Sequence, residues 1–109
     1  MSALQDFPRI TPFLWFDTNA EEATAFYVSV FPNSRLLKVM PGPGGKAMGT
    51  SFEIAGQEFH TLNGGAQYRF TPAISLFVNC ETQQEVDDLW TRLTADGGKP
   101  DRCGWLTDK

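Results

Sequence analysis

Two segments of this chain repeat the same order of a strand-like run, a helix cap and an amphipathic helix stripe. Leu14 of the first run recurs as Leu76 and Glu21 of the first cap recurs as Glu85, at offsets of 62 and 64 residues. An offset that stays nearly constant over consecutive features indicates an internal duplication. Because the chain has 109 residues, of which 41% are hydrophobic, it has room for one domain only. The repeat therefore predicts a single domain, residues 1–109, built from two similar modules.

The first module is predicted to have the element order βαβββ over residues 9–65. Residues 10–17 (ITPFLWFD) form an apolar run that suits a strand, and Thr18 with Glu21 has the spacing of a capping box. The apolar periodicity that follows predicts a helix over 19–30, which Pro32 ends. Three strands are expected after it, over 35–40, 50–55 and 58–63. The Gly- and Pro-rich loop PGPGGKAMG separates the first two, and a tight turn at Gly56 separates the last two.

The second module, residues 72–109, begins the same pattern again. Residues 72–79 (PAISLFVN) are a predicted apolar strand, Thr82 with Glu85 repeats the cap, and a helix stripe follows that ends before Gly97. Too few residues remain for three further strands, so this module is predicted to be incomplete at its C-terminus. We expect either that the polypeptide continues past Lys109 or that a second copy of the chain covers the exposed sheet edge.

Charge and composition exclude several kinds of partner. Nine basic residues stand against 13 acidic ones, and the basic residues are scattered, so nucleic acid is not an expected partner. No apolar run reaches the roughly 20 residues that cross a bilayer, and the N-terminus lacks the pattern of a secretory signal. We therefore expect a cytoplasmic protein with no membrane contact, in which Cys80 and Cys103 stay as thiols.

Five segments carry a resemblance to a known family: TPFLWFD (11–17), AEEATAFYVSVFPNSR (20–35), FHTLNGG (59–65), ISLFVNCETQQEVDDLW (74–90) and CGWLTDK (103–109). In this order they resemble the PhnB-like branch of the vicinal-oxygen-chelate superfamily, which includes glyoxalase, bleomycin resistance and dihydroxybiphenyl dioxygenase proteins. The branch is often labelled a 3-demethylubiquinone-9 3-methyltransferase domain. The resemblance implies an α+β fold of paired βαβββ modules whose curled mixed sheets form a cleft. It also implies a small molecule in that cleft, often with a divalent metal, and a homodimer.

The metal ligands that the resemblance implies are missing from this sequence. The family's ligand positions on the first strand of each module match Pro12 and Ala73, which have no donor in the side chain. On the fourth strand the matching position is Phe59, one residue before His60, the only histidine. A lone histidine is more often structural than a ligand. We therefore expect no metal and no cofactor, with His60 as the one weak candidate.

Alternation along the predicted strands places a set of apolar and hydroxyl side chains inside the cleft. The alternative interpretation is that the same side chains fill the sheet interior and leave no cavity. Asp17 and Asn79, which end equivalent strands, form a polar rim in the first interpretation and helix caps in the second. The predicted ligand-binding residues are Leu14, Phe16, Phe59, Thr61, Asn63, Ser75 and Phe77.

These observations favour a glyoxalase-like domain that binds a small organic molecule without a metal, and they leave open whether it catalyses a reaction. The alternatives are a metal-dependent lyase, isomerase or dioxygenase of the same superfamily, a drug-binding resistance protein, and a dimer that acts through protein contacts. The methyltransferase label is disfavoured because cofactor binding usually needs a glycine-rich turn between a strand and a helix. Here the glycine-rich residues 42–49 contain Pro43 and lead into a predicted strand.

Overall fold

The computed structural model describes residues 9–108, which form two compact units, one ending at Pro72 and the other beginning at Ala73. The first unit has the order βαβββ, as the sequence predicts. Its elements are β1 (Phe13–Phe16), α1 (Ala20–Val30), β2 (Ser34–Pro41), β3 (Ala47–Ile54) and β4 (Gln57–Asn63).

The four strands of the first unit form one mixed sheet in the order β1-β4-β3-β2. β1 lies parallel to β4, whereas β2, β3 and β4 are joined as antiparallel neighbours. The turn between β3 and β4 places Ala55 and Gly56 at φ values of 49° and 91°, as a two-residue hairpin turn with two left-handed positions requires. β1 therefore lies at one edge of the sheet, and α1 connects it to β2 at the opposite edge.

Helix α1 packs on one face of this sheet through an aromatic cluster. The Tyr27 ring stacks on Phe52 at 6.2 Å between centroids, and Phe52 stacks on Phe59 of the next strand at 5.3 Å. Phe52 is 1% exposed and Phe59 is 5% exposed. Burial of each such side chain stabilises the fold by roughly 1.5–3 kcal/mol, so this cluster is a main source of the unit's stability.

Three buried threonines form a hydrogen-bonded chain between the sheet and α1. The Thr50 amide donates to Thr61 Oγ1 at 2.9 Å, and the hydroxyls of Thr61 and Thr50 lie 2.6 Å apart. Thr50 Oγ1 lies 2.8 Å from Thr24 Oγ1, which in turn donates to the Ala20 carbonyl at 2.8 Å. Since Thr24 gives its proton to Ala20, Thr50 must donate to Thr24 and Thr61 to Thr50. Each of the three threonine hydroxyls therefore donates to the next acceptor, and their hydrogen bonds all run in the same direction, from β4 towards α1.

The start of α1 is held differently from the predicted capping box of Thr18 and Glu21, and that prediction is wrong. The helix is preceded by Asn19, whose side chain makes no capping bond. Instead Asn63, at the end of β4, accepts from the Ala20 amide at 2.9 Å and donates to the Ala47 carbonyl at 3.1 Å. A helix amide needs an acceptor but not a local one, so a residue distant in sequence replaces the cap.

The second unit contains α2 (Gln83–Leu93), β5 (Lys99–Pro100) and β6 (Leu106–Thr107), and the two short strands pair antiparallel. Here the predicted cap is confirmed, because Thr82 Oγ1 accepts from the Glu85 amide at 3.1 Å. None of the helices within residues 9–108 has the length and apolar character to span a membrane.

The predicted strand over residues 72–79 is not formed. These residues have no regular secondary structure, and Ile74 and Phe77 are 82% and 94% exposed. A strand is stabilised by the hydrogen bonds of a neighbour, as β1 is by β4, and no strand within residues 9–108 pairs with this segment. An apolar sequence pattern alone therefore does not produce a strand here.

Candidate functional site

The predicted cleft residues of the first module lie on the helix side of the sheet. Phe59 stacks in the cluster beneath α1, Thr61 is 0% exposed, and Asn63 anchors the helix start. Leu14 and Phe16 share this face, because they stand opposite Thr61 and Asn63 in the β1–β4 register. The sidedness predicted from the sequence is therefore inverted, since alternation shows which residues share a face but not which face the helix covers.

Ser75 and Phe77, the two predicted cleft residues of the second module, belong to the segment without regular structure and are exposed. Neither residue lies on a strand, so neither belongs to a strand face. Contact of any of the seven predicted residues with a ligand stays a prediction.

The opposite side of the first sheet carries a mixed set of aromatic, apolar and charged side chains. We call it the open face, because α1, the one α-helix in the described part of the first unit, packs on the other side. The strand registers place on the open face Phe13, Trp15, Arg35, Lys38, Met40, Ser51, Glu53, Glu58, His60 and Leu62.

A histidine–carboxylate pair lies near the middle of the open face. His60 Nε2 is 2.6 Å from Glu58 Oε2, and the two side chains are 26% and 17% exposed. Both residues are on β4, where His60 stands opposite Phe13 of β1 and Ser51 of β3. A partly buried carboxylate that accepts from an imidazole fixes the ring's orientation and tautomer, as in sites where histidine binds or exchanges a proton.

A second carboxylate lies beside this pair. Glu53 of β3 is directly opposite Glu58, and its Oε1 is 3.9 Å from Arg35 Nε, an arginine that is 70% exposed. Like charges at opposed positions of a sheet repel each other. An arginine as exposed as Arg35 offsets little of that repulsion. The middle of the open face therefore has two carboxylates side by side, with Arg35 and Lys38 on the neighbouring strand β2.

Trp15 forms an aromatic wall of the open face. Its indole N–H donates to the Gly65 carbonyl at 2.9 Å, and the Tyr68 ring meets it edge-on at 4.9 Å between centroids. A Cβ on Gly64 would come within 2.3 Å of the indole, so only glycine allows the chain to pass so close to it. The tryptophan is thus held in one orientation.

The helix side also has an apolar groove, which is a rival site. It has a volume of about 440 Å³ between α1 and the β2 edge. Its lining residues are Glu21, Thr24, Ala25, Val28, Ser29, Leu36, Val39 and Thr50.

Asp17 and Asn79, which the sequence predicts to form a polar rim, have different surroundings. Asp17 is exposed and lines a polar pocket of about 620 Å³ together with Glu21, Lys46 and Asn63. Asn79 is exposed in the second unit and has no capping role, because Thr82 caps α2.

The metal site that the family resemblance implies does not fit these residues. Pro12 offers only a backbone carbonyl, which accepts from the His60 amide at 3.0 Å, and Phe59 is buried against Phe52. Between residues 9 and 108 no group of three or more His, Cys, Asp and Glu side chains is arranged to hold a metal ion. No step is therefore assigned to a metal.

The Glu58–His60 pair is the feature that sequence reasoning missed. The signal was present, because Glu58 stands two residues before the only histidine and so shares its face on a strand. Partial burial and the Glu85 carboxylate both raise the pKa of the Cys80 thiol, which disfavours the thiolate form.

The βαβββ order, the parallel β1–β4 pair and the single helix layer define the first unit as an α+β module of mixed sheet. A family model described as 3-demethylubiquinone-9 3-methyltransferase matches residues 8–109, and the chain belongs to this family.

A solved structure agrees with the family match. The chain is 34% identical to a PhnB protein from Bacillus cereus that carries the same methyltransferase label, with a TM-score of 0.77 over 84% of this chain and 77% of that one. A Staphylococcus aureus protein is 31% identical over 82% of this chain and 69% of its own, with a TM-score of 0.49. A comparison with curated proteins finds no match.

Proposed function

We propose that this protein is a PhnB-like, glyoxalase-related domain that binds a small organic molecule on the open face of its first sheet, without a metal. The observation that carries the proposal is the Glu58–His60 pair, which is partly buried beside the exposed ring of Phe13. An oriented polar group beside an exposed aromatic ring is a combination found in small-molecule sites.

The contrast between the two faces of the sheet supports this location. On the helix side, Phe52, Thr50 and Thr61 are each at most 1% exposed and make stacking or hydrogen-bonding contacts. On the open face, Phe13 is 61% exposed and His60 is 26% exposed in its side chain. A ligand on the open face can therefore contact side chains that the core does not use.

The methyltransferase name of the family is not supported by the local structure. The glycine-rich residues between Pro41 and Ala47 join two antiparallel strands, with a single turn of 3-10 helix at Pro43–Gly45. A cofactor-binding turn would present backbone amides at the start of a longer helix. We therefore propose binding, with any chemistry supplied by the open-face residues, and treat the name as a label only.

The family resemblance also suggests a cytoplasmic homodimer. Light scattering on the purified chain tests the dimer, and a monomer across a wide concentration range would remove it from the proposal.

A thermal-shift screen with matched variants tests the binding site. A molecule that binds only the native state raises stability, by about 2.7 kcal/mol at a concentration of 100 times its Kd. Phe13→Ala removes an exposed ring from the open face, and Leu36→Ala removes a 50% exposed side chain from the helix-side groove. We expect hits from the wild-type screen to weaken in Phe13→Ala and to persist in Leu36→Ala.

The reverse pattern would transfer the site to the groove between α1 and β2 and overturn the proposed location. A screen with no hits among planar organic molecules of varied charge would count against small-molecule binding itself.

A further inference from the structure

We infer that Asn63–Gly64 is a deamidation site that the folded first unit holds closed and that becomes reactive when the end of β4 leaves the sheet. Asn63 is the only asparagine in the sequence that is followed by glycine. Glycine has no side chain, so the peptide nitrogen after Asn63 is unhindered once the backbone is free. The sequence therefore contains one asparagine at which attack by the next backbone nitrogen is least obstructed.

The reaction uses only atoms of the chain and water. The Gly64 nitrogen loses its proton to a base in solution and forms a bond to Cγ of Asn63, and the bond from Cγ to Nδ2 breaks to release ammonia. Water then opens the resulting imide ring at one of its two carbonyl carbons. Opening at Cγ leaves an aspartate at position 63. Opening at the main-chain carbon leaves an isoaspartate, whose backbone is longer by one methylene group.

The folded unit blocks the attack at both reacting atoms. Asn63 Oδ1 accepts from the Ala20 amide at 2.9 Å, and Nδ2 donates to the Ala47 carbonyl at 3.1 Å, so the side-chain amide is held on both sides. The Gly64 N–H donates to the Phe16 carbonyl at 2.9 Å, which shields its proton from base. Asn63 is also a strand residue. The extended backbone, with ψ of about 115–135°, turns the next nitrogen away from the side chain.

Contacts in the fold require both residues of the pair. A Cβ on Gly64 would lie 2.3 Å from Cζ2 of Trp15, so this position requires glycine. Position 63 requires a donor and an acceptor on a short side chain, because it bridges the Ala20 amide and the Ala47 carbonyl. An ionised aspartate has no donor, and glutamine is longer by one methylene group. The contacts that require Asn63 and Gly64 are thus also those that keep the pair unreactive.

The product of the reaction does not fit the end of β4. An aspartate at position 63 keeps the acceptor for the Ala20 amide but sets a carboxylate oxygen against the Ala47 carbonyl oxygen. An isoaspartate also lengthens the backbone, which displaces the Gly64 amide from the Phe16 carbonyl. A chain that reacts while this end of β4 is open therefore refolds poorly.

Peptide mass spectrometry measures the reaction, because deamidation replaces an amino group by a hydroxyl group and changes the mass. Trypsin cleavage after Lys46 and Arg69 gives a peptide in which Asn63 is the only asparagine, and cleavage after Arg69 and Arg92 gives one that contains only Asn79. The protein is incubated at mildly alkaline pH, either native or in guanidinium chloride above its unfolding midpoint. A sample that is digested without incubation corrects for reaction during digestion.

The comparison of native and unfolded protein is the main test. We expect Asn63 to react at least about tenfold more slowly in the native protein, because the reaction requires local opening. Asn79 is an internal control, since it is exposed in a segment without regular structure. Its rate should differ by less than about threefold between the two conditions.

A pair of tryptophan substitutions tests whether the indole beside Gly64 keeps the site closed. Trp15→Phe removes the hydrogen bond to the Gly65 carbonyl and should speed the native reaction at Asn63 by at least about threefold. The matched control Trp105→Phe changes an indole of the second unit and should leave this rate unchanged. Circular dichroism confirms that both variants are folded. The rate in guanidinium chloride should be the same in all three proteins, because the reacting pair is unchanged.

Three results would contradict the inference. A native rate at Asn63 within about threefold of the unfolded rate would show that the fold does not close the site. A rate at Asn63 no faster than at Asn79 in guanidinium chloride would show that the pair is not a preferred deamidation site. After dilution from guanidinium chloride and size-exclusion chromatography, the folded fraction should be depleted of modified peptide. Equal modified shares in the folded and misfolded fractions would show that the product does fit the end of β4.

Discussion

Substitution of Thr61 by valine is expected to be among the most damaging changes that conserve side-chain shape in this fold. Valine replaces the hydroxyl by a methyl group of similar size, so packing is preserved and only hydrogen bonding changes. Thr61 is 0% exposed, and its oxygen accepts from the Thr50 amide at 2.9 Å. Without it, a buried backbone N–H has no acceptor.

The magnitude follows from the two shorter contacts that are lost, because the third, to the Thr50 carbonyl, is long at 3.5 Å. A buried amide left without a partner costs about 1–3 kcal/mol, and loss of the bond between the Thr61 and Thr50 hydroxyls adds about 1 kcal/mol. We expect Thr61→Val to lower the free energy of unfolding by about 2–4 kcal/mol. Thr24→Val should cost less, about 1–3 kcal/mol, because it leaves only the Thr50 hydroxyl without an acceptor.

Urea denaturation followed by circular dichroism measures the loss, and native-state hydrogen exchange reports the Thr50 amide directly. The control is Thr18→Val, an exposed threonine next to α1, for which a change within about 0.5 kcal/mol is expected. Two results would contradict the hydrogen bonds described for Thr61, Thr50 and Thr24. One is a Thr61→Val variant as stable as Thr18→Val, and the other is a Thr50 amide that stays protected from exchange in Thr61→Val.

Three further changes test separate features. Gly49→Ala should destabilise by about 2–3 kcal/mol, measured as a lower urea midpoint, because its Cβ would lie 2.1 Å from the Thr61 carbonyl oxygen. Asn63→Ala should cost about 1–2 kcal/mol through loss of the helix-start bond, and unchanged exchange of the first helix amides would contradict this. The pKa of Cys80 is raised by burial first and by Glu85 second, so less thiolate forms at a given pH. Alkylation of Cys80 by iodoacetamide should accelerate in Glu85→Gln, and an unchanged rate would exclude the carboxylate effect.

Local signals in the sequence predicted much of the first unit. The periodicity before Pro32 placed the helix to within one residue, and the turn at Gly56 and the order of the strands follow from turn chemistry and alternation. The family resemblance came from longer strings of residues and is supported by the family match.

The remaining features depend on contacts that are distant along the chain. The face that α1 covers is fixed by the packing of Tyr27 on Phe52 and of Thr24 on Thr50, which no local pattern specifies. The cap of α1 comes from Asn63, 43 residues away from Ala20. The segment 72–79 has the composition of a strand, but strand formation requires a partner, and composition contains no information about one.

The dependence of α1 on Asn63 has a consequence for how the chain assembles. During synthesis, α1 and β1 leave the ribosome long before β4, and at roughly 5–20 residues per second the delay lasts several seconds. Over that interval the first amide of the helix lacks its Asn63 acceptor and β1 lacks its strand neighbour β4. Loop closure between such distant residues is slow relative to local helix formation. The arrival of β4 therefore completes the helix and the sheet edge in the same event, and the unit gains its stability late and cooperatively.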